Sequence, residues 1–394
     1  MKLSRFLFTS ESVTEGHPDK VCDAISDAIV DHLLSQDKES HVACETLATN
    51  GLVVVSGEIR SNGNVDVEGI VKDTLVNIGY TDEAYGMDSA NVEVKAILHE
   101  QSLEIAQGVD AENMSEQGAG DQGLMFGFAC RETPELMPLP IQMAQRLTER
   151  LTMLRKENVL TWLRPDGKSQ VTVEYDGYSP TRVTKVVIAT QHQDMIDRYG
   201  SEKRELEFVK KEVIEHVILP ILEQYGVPYE KDFIVNGTGR FVYGGPAADT
   251  GLTGRKIIVD TYGGYAPHGG GAFSGKDPSK VDRSATYMAR YIAKNVVAAE
   301  LSERCEVQLS YSIGVAEPTS FYVRTLGTGT LSDEKLTTLC RKVFPIRPGE
   351  IVDHLDLKRP RYYPTAAYGH FGREDENFTW EKTDMVDALR SNGQ

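Results

Sequence analysis

PDKVCDAISDAIVDHLLSQDKESHVACETLATNGLVVVSGEIR, residues 18–60, is the stretch on which the fold class turns. From Pro18 to Gln36, Val21, Ile25, Ala28, Ile29 and Leu33 recur at helical spacing on one face. Pro18 suits the first turn, where a missing N–H costs nothing. His41–Ala48 and Gly51–Arg60 then read as two consecutive strands. A helix followed by a strand pair, without regular βαβ alternation, points to α+β units and away from a doubly wound parallel sheet. The other helix face carries Asp23, Asp27 and Asp31 at four-residue spacing. Such a stripe predicts a solvated face, with a metal-binding stripe as the alternative.

Outward from there the pattern recurs. Val65–Ile78 reads as a helix and Val92–His99 as a strand. A helix at Ile141–Lys156 precedes strands at Gln170–Tyr175 and Val183–Gln191 and a long helix at Ser201–Leu222. The last third places strands at Phe233–Asn236, Lys256–Asp260, Glu306–Val315 and Phe321–Thr325, with helices at Asp282–Ser302 and Asp333–Phe344. The three thirds are similar in outline, without a clean repeat. Polar, aperiodic Gln101–Gln117 reads either as a mobile loop beside a functional site or as a surface linker.

Composition narrows the function. With 394 residues, two or three packed units are expected. A net charge of −17 argues against a nucleic-acid partner. No apolar run suits a membrane span or a signal-peptide core, so a cytoplasmic protein is expected. The five scattered cysteines contain no CxxC pair and predict neither a disulfide framework nor a zinc site. An acidic protein that binds a polyphosphate must gather its cations locally.

Four motifs carry candidate chemistry. Gly269-Gly270-Gly271-Ala272-Phe273-Ser274-Gly275-Lys276-Asp277 has the P-loop spacing from Gly270 to Lys276. Asp277 stands where a P-loop needs Ser or Thr, so the run is a phosphate cradle of another kind. Arg240, Arg255, Lys256, Lys280 and Arg283 flank it in sequence and supply the local cations. Gly118-Ala119-Gly120-Asp121-Gln122-Gly123 satisfies GxGxxG, but polar loop precedes it; it reads as a tight turn presenting Asp121. In Glu15-Gly16-His17-Pro18-Asp19-Lys20 a histidine and a carboxylate flank a proline. That pattern fits a Mg²⁺–phosphate cluster and fits helix capping equally. Glu45 and Glu58 interrupt apolar strands, where either a cationic partner or an exposed edge would explain them.

Together, Thr9–Lys20, Gly118–Gly127, Gly254-Arg255-Lys256 and Gly269–Asp277 resemble the S-adenosylmethionine synthetases, and the resemblance runs from Leu7 to about Thr383. It implies three similar α+β domains, near 4–102, 116–235 and 237–376, around a pseudo-threefold axis. It implies synthesis of S-adenosylmethionine from ATP and L-methionine, with triphosphate released and then cleaved to pyrophosphate and phosphate. By that resemblance His17, Lys168, Arg255 and Lys276 are catalytic. The ATP set is His17, Asp166, Lys168, Arg240, Phe241, Asp249, Arg255, Lys256, Ala272 and Lys276. Glu58, Gln101, Asp121, Asp249 and Lys280 would hold methionine. Asp19 and Asp282 would bind two Mg²⁺ and Glu45 one K⁺, in a homodimer with shared sites that pairs into a homotetramer. Gln101 to Ala111 matches the family's mobile loop. Departures are Phe128, where the family has Tyr, and Gly237, where it has Pro. Two other readings remain: a kinase or ATPase, which predicts ADP, and a non-catalytic ATP-sensing subunit, which predicts missing cationic or metal residues.

Overall fold

The computed structural model describes residues 5–100 and 116–393. The first stretch runs β1 (Arg5–Val13), α1 (Pro18–Gln36), β2 (His41–Thr49), β3 (Leu52–Arg60), α2 (Val67–Ile78) and β4 (Glu93–Glu100). The second repeats that order as β5 (Gly123–Cys130), α3 (Leu139–Lys156), β6 (Leu163–Asp176), β7 (Ser179–His192), α4 (Glu202–Val213) and β8 (Phe233–Val235). The third runs β9 (Gly251–Leu252), α5 (Val281–Ala298), β10 (Arg304–Tyr311), β11 (Ser320–Arg324) and α6 (Asp333–Val343). Each stretch is thus a leading strand, a helix, a hairpin and a second helix.

The leading strands do not stay at home. The sheets are ordered β9-β2-β3-β4, β1-β6-β7-β8 and β11-β10-β5. So β1 completes the second sheet, β5 the third, and β9 the first. In the first two sheets the last strand joins parallel to the hairpin, as β4 does along β3 and β8 along β7. The exchange is cyclic, and none of these three sheets is built from one stretch alone; only a two-stranded ribbon, Thr81–Asp82 against Met87–Asp88, is local among the described residues. Helix α5 is buried along nearly its whole length, which is why Arg283, Arg290 and Lys294 on it all have acidic partners.

The aspartate stripe of α1 corrects the solvated-face expectation. Asp23 and Asp27 have no exposed surface. Asp23 accepts the Gly254 N–H at 2.8 Å and pairs with Lys20 at 3.0 Å. Asp31 accepts three backbone N–H groups, from Arg361, Tyr362 and Tyr363, at 2.8–2.9 Å. Both faces of α1 are therefore interior, one toward its sheet and one toward the third stretch. Lys256–Asp260 is likewise not a strand: Ile257–Asp260 forms one helical turn. Its β-branched residues argued for extension, but the turn carries Asp260 onto buried Lys20. The long helix after Ser201 opens into a π turn at Ile214–Ile218. Pro220 cannot donate to the His216 carbonyl, and that carbonyl accepts Arg150 Nε at 2.5 Å instead. Strand β6 starts at Leu163, earlier than expected, because Pro165 and Gly167 obscure a bulged beginning.

Candidate active site

The start of α1 is pressed against β6. A Cβ on Gly16 would lie 2.4 Å from the Pro165 backbone, so only glycine permits the approach. It brings His17 within electrostatic reach of Lys168, two residues beyond Asp166 on the same strand. His17 is 3% exposed, and its Nδ1 accepts the Asp19 N–H at 3.2 Å. Burial, then Lys256 and Lys168, push its pKa down to about 3. The imidazole is therefore neutral, with its proton on Nε2, where it can donate.

Asp19 accepts the Leu252 N–H at 3.0 Å and pairs with Lys256. Burial works against its charge, but Lys256 and the Leu252 N–H hold it below the ordinary carboxylate range. Arg255 Nη1 stands 3.9 Å from the same carboxylate. On β6, Asp166 accepts the Gly245 N–H at 2.9 Å through Oδ2, while buried Oδ1 has no partner. Burial raises its pKa to about 6 despite the Gly245 bond. Lys168, two residues on, is exposed. His17, Asp19, Asp166, Lys168, Arg255 and Lys256 are thus one set, and its cations are the local concentration that the net charge requires.

The glycine-rich run builds a second set. It is irregular, with a turn at Ser274–Gly275 and a single bridge at Lys276, and lacks the strand-to-helix frame of a P-loop. Gly275 has φ +80°, and a Cβ there would lie 1.8 Å from the Cys44 carbonyl. This contact lays Lys276 beside Ala43 of β2. Lys276 Nζ meets Asp282 at 2.8 Å, and Gly271 packs directly on that carboxylate. A cavity of about 290 Å³ opens here, lined by Glu45, Glu58, Thr253, Ala272, Ser274 and Lys276. It lies near the small end of ligand pockets, roughly 300–1,000 Å³. Glu45 and Glu58 are exposed strand residues facing a lysine-bearing cavity. Gly254, in the segment that carries Arg255 and Lys256, packs against Ala272 and joins the two sets along the chain.

Other expected residues stand apart. Arg240 is engaged by Glu205 at 2.6 Å and Asp194 at 2.5 Å. The Phe241 N–H donates to His192 Nε2, and its ring edges Gly244. Asp249 is exposed. Lys280 pairs with buried Asp277 at 2.5 Å, and Asp121 sits exposed in its turn, accepting the Gln122 N–H. Gln101 and nearly all of the 101–117 loop lie outside the described residues. Sequence reasoning missed Thr253 and Ser274 on the cavity wall. Ser274 Oγ is buried with no partner, and its place within the glycine run was the available signal.

Models of the three S-adenosylmethionine synthetase domains match the chain in order. The N-terminal domain matches residues 5–103, the central domain 116–241 and the C-terminal domain 243–382.

Proposed function

Since the chain belongs to the S-adenosylmethionine synthetase family along almost its entire length, we propose that the two residue sets above are the two sides of its active site. The enzyme is a methionine adenosyltransferase, making S-adenosylmethionine from ATP and L-methionine. Methionine sulfur is a thioether with no proton to lose, so the step needs no general base. A sulfur lone pair attacks C5′, the C5′–O bond breaks, and its electron pair leaves with the triphosphate. Two demands follow: alignment of sulfur behind C5′, worth about 7–11 kcal/mol at best, and cations fixed where the leaving chain gathers charge.

The observation that carries the reading is the cation cluster at the start of α1. Lys168, Arg255 and Lys256 converge there on a neutral histidine whose free N–H can donate. In this reading His17 Nε2–H, Lys168, Arg255 and Lys276 bind the triphosphate. The unpartnered Asp166 Oδ1 takes a ribose hydroxyl, and Phe241 gives adenine an aromatic face, beside Arg240 and Ala272. Glu58 receives the methionine ammonium, with Gln101, Asp121, Asp249 and Lys280 completing that pocket. Arg255, a planar fork suited to phosphates, orients the triphosphate for cleavage to pyrophosphate and phosphate.

Family members act on ATP with a divalent cation. The donor chemistry fits Mg²⁺: Asp19 uses two of its about four lone-pair sites on Leu252 and Lys256, leaving oxygen to spare. Asp19 and Asp282 would each hold one of two Mg²⁺, and Glu45 would hold K⁺. Bound there, such cations would neutralise charge on the phosphate oxygens. Glu45, Glu58, Lys168 and Arg255 all stand at the surface, which supports a shared site completed by a second copy of the chain, and a pairing of such dimers into a tetramer.

The test is to incubate protein with ATP, L-methionine, Mg²⁺ and K⁺ and to identify every product by mass spectrometry and phosphate assay. S-adenosylmethionine with equimolar pyrophosphate and phosphate is expected. Intact triphosphate would remove the cleavage step, and ADP formed without methionine would overturn the reading.

A further inference from the structure

Beneath the glycine-rich run lies a buried ion pair that the chemistry above does not use. Arg283, on α5, donates to both oxygens of Asp27, on α1, at 2.7 and 2.9 Å. Neither side chain has any exposed surface. The pair also holds one short piece of backbone from both ends. Asp27 Oδ1 accepts the Gly275 N–H at 2.9 Å, and Arg283 Nη1 donates to the Lys276 carbonyl at 3.0 Å. Tyr287 Oη and Thr365 Oγ1 accept the remaining guanidinium donors at 3.1 and 3.0 Å. All five N–H groups of the arginine are thereby engaged.

A buried ion pair is poor evidence for stability, since apolar residues of equal volume often serve as well or better. An apolar pair lacks any means of gripping the peptide above it. That peptide cannot relax elsewhere, because Gly275 sits in the left-handed region with the Cys44 carbonyl against its Cα. On its far side the Lys276 side chain reaches Asp282 and the cavity wall.

We propose that Asp27 and Arg283 are positioning residues for adenosyl transfer: they clamp the Gly275–Lys276 backbone from below and so fix where the Lys276 ammonium stands. The inference rests on the reading that Lys276 binds the triphosphate. The clamp acts only through that lysine, which separates it from a general structural role.

Four proteins test it: the parent, Arg283→Lys, Lys276→Met and the double variant, each assayed for S-adenosylmethionine formation at saturating substrates. Lysine keeps the charge against Asp27 but has three donors for five acceptors. Arg283→Lys is expected to lower kcat about tenfold with both KM values within about threefold. In the Lys276→Met background the same change should cost less than about twofold, because contacts acting through one group do not add. A tenfold loss that persists there, or a single Arg283→Lys variant within twofold of the parent, would overturn the clamp. A Lys276→Met variant with parental kcat would instead refute the role of the lysine. Should Arg283→Lys not fold, Thr365→Val removes one acceptor and leaves the ion pair. It should lose about threefold in the parent and nothing with Lys276→Met; no loss in the parent, or equal loss in both, refutes the clamp.

Discussion

At the scale of single residues, His17 serves two ends, capping α1 through Nδ1 and offering a proton at Nε2. Asparagine caps a helix well but cannot reproduce that donor position. His17→Asn is therefore expected to lower kcat by roughly 10²–10³ while the unfolding temperature moves by no more than about 3 °C. Turnover within threefold of the parent would remove the imidazole from the site. Asp166 makes a pH-dependent case. Its folded pKa, about 6, lies above the unfolded value near ~3.9, so the folded state binds the proton more tightly. The stability it contributes is present below the unfolded pKa and is lost as pH rises toward 6. Asp166→Asn cannot ionise. The difference in unfolding temperature, variant minus parent, should rise between about pH 4 and 6 and flatten above. A flat or falling difference would mean that Oδ1 has a partner after all. His17, Asp19, Arg255, Lys256 and Lys276 were legible because glycine, proline and charge cluster in short motifs, and Glu45 and Glu58 because they interrupt apolar strands; Asp166 and Lys168 came only through the family resemblance. The Asp27–Arg283 pair was not: Arg283 was expected among the cations open to a polyphosphate but is fully buried against Asp27, and an aspartate on a helix looks the same in sequence whether water or a guanidinium faces it.

At the scale of elements, the long amphipathic helices were legible and the short or shared pieces were not. Periodicity placed α1 from Pro18 to Gln36, the bounds the structure has, since its apolar face repeats over five turns. It could not place β9, two residues long, or read β5 beneath its glycines, because their partners come from other stretches. The same exchange explains the misread acidic stripe. Helix α1 packs on its own sheet with one face and receives the chain near residue 362 with the other. Asp31 is the anchor there, taking three consecutive backbone N–H groups. Asp31→Ala leaves all three without that acceptor, and we expect a loss of about 3 kcal/mol in denaturant unfolding with an unchanged m-value. A loss below about 0.5 kcal/mol would show that water replaces the carboxylate and that this contact is not an anchor.

At the scale of the molecule, the cyclic exchange of β1, β5 and β9 binds the three stretches into one body. It also decides which residues a single chain can bring together. The His17 set hangs on α1, β6 and the segment after β9; the Lys276 set hangs on β2, β3 and the glycine run. Each named ion pair stays within its own set: Asp19 with Lys256, and Lys276 with Asp282. If a site takes the His17 set from one chain and the Lys276 set from its partner, inactive variants should complement. In a heterodimer of His17→Asn and Lys276→Met, one site collects both substitutions and the other collects neither. Mixing the two variants under conditions that exchange subunits should therefore restore a quarter of parental activity, because half of the random dimers are mixed and each carries one intact site of two. If both sets of one site come from the same chain, every site in every dimer carries one defect and mixing restores nothing. The same result decides whether the exposed positions of Glu45, Glu58, Lys168 and Arg255 are surface chemistry or half of an interface. Residual activity after exchange, measured against each variant alone, is the quantity that separates the two architectures.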